Sequence, residues 1–136
     1  MKRTATAVWN GSGKEGKGKV STQSGILNNT KYSAKSRFEN EPGTNPEELI
    51  AAAHAGCFAM KLSFVLQAAG FTAESLDVTA EVTIEEGTIT DSHLVLKAKI
   101  PGITVDKFKT SIEDAKLNCP VSKVLNARIT LDASMV

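Results

Sequence analysis

The two cysteines are the side chains of this chain best suited to covalent chemistry. Cys57 stands inside "HAGCFAMKLS" (54–63), and Cys119 opens "CPVSKVL" (119–125). Two thiols brought into contact form a dithiol in which one sulfur attacks and the other resolves. Taken alone, Cys57 fits core packing equally well, because free cysteine is among the most buried residue types. Cys119 has the more unusual setting. Pro120 drives it out of the α-region and makes it the N-cap of a short helix, where unpaired N–H groups favour a thiolate. Charged candidates lie upstream: Arg37, and the pair Glu47 and Glu48 that follows Pro46. An Arg–Glu pair beside a sulfur would hold it as thiolate and guide a polar oxygen substrate. The plainer reading is a surface arginine and two glutamates that complement a helix dipole.

Other patterns carry less. "GSGKEG" (11–16) has the GxGxxG spacing, and "GSGKEGKG" (11–18) comes near a phosphate loop. The residues after it read as strand and turn rather than helix, and Gly18 stands where a magnesium-binding Ser or Thr is required. A mobile hairpin loop explains both. His54 and Cys57 share a helix face, with Cys119 or His93 as further ligands, but no CxxC or HxxxH pair anchors a metal set. We expect no metal, and we read His54 as a structural neighbour of Cys57.

The elements that must position these residues can be read from pattern. "TATAVW" (4–9) and "GKVSTQSG" (18–25) read as a hairpin, and "KYSAKSRFE" (31–39) as a third, weaker strand. Asn45 is a good N-cap, Pro46 suits the first helical position, and apolar residues run from Leu49 to Ala69 before Gly70. Residues 75–102 alternate as two strands around Glu86-Gly87. Residues 104–118 form an amphipathic helix with Val105, Phe108, Ile112 and Ala115 on one side, and 127–134 close as a strand. This order predicts an α+β fold with mostly antiparallel sheets around a long central helix.

The chain has 136 residues, the size of one domain spanning 1–136, and 41% hydrophobic residues suffice for a core without disulfides. A net charge of +1 argues against a nucleic-acid partner. The N-terminus lacks the apolar run of a signal peptide, and no segment is expected to span a membrane, so a cytoplasmic protein with free thiols is expected.

The long helix sets one further condition. Being apolar on nearly every side, it needs cover on nearly every side, which predicts an obligate partner surface. Glu47 and Cys57 are ten residues apart, so on a straight helix they are separated by ~15 Å along the axis and about 80° in azimuth. Glu47 therefore cannot touch the sulfur of its own chain. It could touch that of a second copy packed antiparallel, which predicts a homodimer with shared sites.

These stretches resemble the OsmC/Ohr family of organic hydroperoxide reductases, most closely its OsmC branch. "RFENEPGTNPEELIAAAHAGCFAMKLS" (37–63) is similar to the family's first-cysteine helix, "NCPVSKVLNARITLD" (118–132) to its second-cysteine segment, and "GKGKVSTQSGILNN" (16–29) to its N-terminal hairpin. The resemblance implies an intertwined α+β dimer with active sites at the subunit interface. It also implies that Cys57 is the peroxidatic cysteine and Cys119 the resolving one, with Glu47 orienting Arg37 and Arg37 activating Cys57. The implied activity is reduction of organic hydroperoxides in oxidant defence. It uses no bound cofactor and a lipoyl-type dithiol as external reductant. Phe58, Met60 and Phe38 are expected to favour peroxides with an organic tail.

Overall fold

The structure, a computed structural model, describes all residues 1–136. Its contacts divide the chain into two units, Met1–Leu49 and Ile50–Val136.

In the first unit, β1 (Ala5–Asn10) pairs antiparallel with β2 (Lys17–Thr22), and β2 with β3 (Thr30–Tyr32). The GxGxxG stretch is the loop between β1 and β2. A side chain on Gly16 would strike the Ser12 carbonyl oxygen, so this glycine serves the turn. The Trp9 and Tyr32 rings meet at 5.4 Å, and Gly18 leaves room for both. The strand expected over 31–39 ends at Tyr32, and the chain turns into α1 (Ala34–Phe38) instead. The cause is a reciprocal cap. Ser33 Oγ accepts from Ser36 N at 3.1 Å, and Ser36 Oγ accepts from Ser33 N at 2.7 Å.

The long helix α2 (Pro46–Ala68) starts as its caps predict: Asn45 Oδ1 accepts from Glu48 N at 2.8 Å. By length and composition α2 could cross a membrane, contrary to the sequence expectation. Its placement gives it another role. His54, Phe58, Leu62 and Leu66, one every fourth residue, are buried within the second unit at 0–1% exposure. Met60 and Phe64 on the other side are exposed.

The second unit packs that stripe on a three-stranded sheet, order β4-β5-β6. β4 (Ser75–Glu85) and β5 (Thr88–Lys99) form the predicted hairpin, with Glu86 and Gly87 at φ 49° and 77°. Both angles suit the twist of a two-residue turn. Along β5 the inward residues Ser92, Leu94, Leu96 and Ala98 are buried, which is strand alternation with one polar exception. Two helices, α3 (Val105–Asn118) and α4 (Pro120–Val124), then lead to β6 (Arg128–Met135), which joins β5 in parallel. A parallel neighbour needs such a crossover. α3 buries Phe108, Ser111, Ile112 and Ala115, whereas Val105, expected on that face, is exposed. Val105 is the first residue after the Thr104 cap, a full turn before the buried run takes hold.

Candidate thiol site

Cys57 lies midway along α2, one position before the fully buried Phe58, and is itself half-buried. Cys119 is completely buried at the junction of α3 and α4. Its N–H closes α3 on Ala115 O at 2.9 Å, and Pro120 begins α4. Extended backbone angles at Cys119 (φ −61°, ψ 125°) result from the proline after it. Both cysteines are free thiols.

The fold makes these sulfurs neighbours. Burial raises the Cys57 thiol above its ordinary pKa, and hydrogen bonding with Cys119 raises it further. A hydrogen bond from the Val121 backbone N–H pulls the other way. Within the second unit, then, burial and Cys119 favour the protonated Cys57 sulfur, and a nearby positive charge is one way to favour the thiolate.

The first unit holds such a charge. Arg37, on α1, donates from Nε to Glu47 Oε1 and Oε2 at 3.0 and 3.2 Å, and from Nη2 to Oε1 at 2.6 Å. Two guanidinium nitrogens on one carboxylate fix the plane of the fork. Nη1 takes no part in these bonds. Hydrogen bonding to Glu47 raises the Arg37 pKa further, only partly offset by loss of hydration. The Phe38 ring lies 5.1 Å from the guanidinium carbon. Beside Arg37 opens a cleft of about 240 Å³ lined by Trp9, Tyr32, Ala34, Phe38 and Pro46. Glu48, the other glutamate, accepts from Thr44 Oγ1 at 3.0 Å and belongs to the helix start.

All four predicted site residues thus fall into two assembled pairs, Cys57 with Cys119 and Arg37 with Glu47. Of the three aromatic or thioether neighbours expected at the sulfur, Phe58 spends its ring in the core. Met60 and Phe38 are exposed. One arrangement has no counterpart in the sequence pattern. His54 is fully buried, with Nδ1 2.6 Å from Ser92 Oγ and Nε2 2.9 Å from Ser122 Oγ. Both nitrogens are committed to hydroxyls, which leaves none for a metal. Burial lowers the His54 pKa, keeping the ring neutral. His93 is likewise engaged, 2.6 Å from Thr130 Oγ1 and 3.4 Å from Asp132 Oδ2.

Comparison with known proteins adds a family. Residues 38–134 match the family model described as "OsmC-like protein". Peroxiredoxin OsmC of Escherichia coli (strain K12) is 52% identical over 130 residues, 93% of this chain and 91% of that protein. Among solved structures, an organic hydroperoxide resistance protein from Elizabethkingia anophelis superposes with a TM-score of 0.71 at 30% identity, covering 98% of this chain and 96% of that one. The organic hydroperoxide resistance protein OhrB of Bacillus subtilis superposes at 0.70 with 22% identity, over 96% of this chain and 98% of that one, a likeness of fold.

Proposed function

The chain belongs to the OsmC-like family, and we propose that it is a thiol peroxidase that reduces organic hydroperoxides to alcohols. The observation that carries this reading is the contact of two free thiols of unequal setting, Cys57 half-buried on a helix and Cys119 buried behind it.

The chemistry begins at Cys57. Its thiolate attacks the terminal oxygen of ROOH, so that an S–O bond forms and the O–O bond breaks. The electron pair leaves on the alkoxide, which takes up a proton to become the alcohol. Cys57 is left as a sulfenic acid, oxidised by two electrons. The Cys119 sulfur then attacks the Cys57 sulfur, an S–S bond forms, and the oxygen leaves as water. An external dithiol of lipoyl type reduces the disulfide by exchange and is itself oxidised to a disulfide.

Arg37 supplies the charge that Cys57 lacks, with Nη1 as the donor left for a thiolate or a peroxide oxygen. Glu47 holds the guanidinium in plane. The aromatic cleft beside Arg37 receives the organic tail, which favours such substrates over hydrogen peroxide. The exposed apolar side of α2, with Met60 and Phe64, supports a homodimer in which the sites are shared. Residues 1–136 act as one functional domain, and free thiols suit a cytoplasmic setting.

Reduced protein mixed with an alkyl hydroperoxide and dihydrolipoate should consume peroxide over many turnovers. Cys57→Ser should end all reaction, and Cys119→Ser should leave a sulfenic acid that dimedone traps on Cys57. Absence of turnover in the wild-type protein sinks the reading, and a trapped adduct on Cys119 would reverse the two roles.

A further inference from the structure

The second cysteine sits on a short and weakly held segment. α4 has five residues. Its backbone-to-backbone bonds run within itself or close α3: Lys123 N to Cys119 O, Leu125 N to Val121 O, and Cys119 N to Ala115 O. Its one outward backbone bond is from Val121 N–H to the Cys57 sulfur. Its one side-chain hydrogen bond to the rest of the unit is Ser122 to His54 Nε2, at 2.9 Å. The other nitrogen of the ring is fixed by Ser92 on the central strand β5, at 2.6 Å. His54, Ser92 and Ser122 are 0%, 0% and 8% exposed. Three polar side chains inside an apolar core are costly unless every one is satisfied, and here every one is. Their location is specific as well. His54 is one helical turn from Cys57 on α2, and Ser122 immediately follows Val121, whose N–H reaches the Cys57 sulfur.

We propose that His54 is a positioning residue for the second half of the sulfur chemistry. Through Ser122 it holds the Cys119-Pro120-Val121 turn against Cys57. A neutral imidazole can donate at one nitrogen and accept at the other, so it spans two hydroxyls as a rigid bridge between β5 and α4. Without it, α4 keeps its covalent links, the half-buried Val121 and the single Val121 N–H bond to the Cys57 sulfur, and Cys119 spends less time in reach of that sulfur. The attack on peroxide uses the Cys57 thiolate and Arg37 but not Cys119, and does not depend on the bridge. The inference rests on Cys119 being the resolving thiol. It extends that reading by naming what sets the rate of resolution.

The test separates the two steps by single-turnover kinetics. Sulfenic acid formation is read as a rate proportional to peroxide, and disulfide formation as a peroxide-independent rate. Ser122→Ala, a small change on a short helix, and His54→Leu, which keeps the interior apolar, should each slow disulfide formation about tenfold, the worth of one good buried hydrogen bond. Peroxide-dependent formation of sulfenic acid, measured above the midpoint of thiol ionisation, should stay within about twofold on the same ground. His54→Gln, which restores one donor and one acceptor, should recover most of the lost rate. The ratio of disulfide to dithiol in a glutathione buffer, which needs no peroxide, should fall in parallel. If Ser122→Ala condenses and equilibrates like wild type, the positioning role is overturned even should His54→Leu fail to fold. A wild-type chain that forms the disulfide with glutathione but not with peroxide would instead overturn the peroxidase reading and leave the bridge standing.

Discussion

The two units of the chain are built on opposite interiors. Every buried apolar residue, eleven in all from Phe58 to Cys119, lies in Ile50–Val136. In Met1–Leu49 the buried side chains are Ser36, Thr44 and Glu47, and all of β1 is exposed, including Val8 and Trp9. A unit this small with a polar interior does not support itself by burial. Local devices order it: a serine cap, one aromatic pair, glycines under the rings, and the Arg37–Glu47 fork. The two thiols therefore lie in a packed frame and the Arg37–Glu47 pair in a lightly held one. The proposed homodimer fits this difference, since the unit that lacks a core has most to gain from a partner's cover.

The contrast can be broken at several points. The largest effect is expected inside the core. Leu62→Ala should lower the free energy of unfolding by ~2–5 kcal/mol, whereas Val8→Ala should change it by no more than about 0.5 kcal/mol in dilute protein. Urea titration at two protein concentrations checks this. A large loss at Val8 that grows with concentration would show the β1 sheet covered in the assembly, and an equal loss in dilute protein would end the contrast. Next comes the charge. Burial and Cys119 hold the Cys57 thiol up, so Arg37→Gln should slow peroxide reduction at pH 7 by about 100-fold, as loss of a focused cation does. The pH profile of Cys57 alkylation should move upward with it. An unmoved profile would mean that the charge of one unit does not reach the sulfur of the other. Glu47→Gln keeps the cation and loses only its orientation, so a drop of about tenfold is expected.

Much of this was legible because the signals are local. Asn45, Pro46 and two glutamates announce a helix start within four residues, and Glu86-Gly87 announces a turn. The candidate site residues were named from the resemblance of their motifs, and the Arg37–Glu47 fork joins residues only ten apart. What escaped depends on distance or on competition between local signals. Alternation over 31–39 suggests a strand, but Ser33 and Ser36 satisfy each other's backbone and win the segment for helix. Val105 shares the predicted face of α3 with Phe108, Ile112 and Ala115 but stands at its first position, before the core begins, and stays exposed. His54 is bonded to partners 38 and 68 positions away, which no window of sequence brings together.

That same histidine gives the smallest and most local test. His54 is faced by Ser92 from β5 and Ser122 from α4, no charged group contributes to its shift, and burial alone keeps it neutral. Its folded pKa lies below that of the unfolded chain, ~6.5. Above that value neither state binds the proton, and the contribution of the neutral bridge is fully present. As pH falls from about 6.5 toward the lower folded value, the unfolded chain takes up a proton that the folded one refuses, and stability declines. Asp91 moves in the same direction in a separate range. Thr90 and then Arg128 depress its pKa, so its loss begins only near and below about pH 4. Both windows belong to the second unit. Arg37, in the first, is shifted upward and takes no part in acid. Urea midpoints measured from pH 7.5 to 4.5 should therefore slope downward in the wild-type chain, and His54→Gln should flatten the slope. An unchanged slope in His54→Gln would place the acid sensitivity elsewhere than in the packed unit's one buried imidazole.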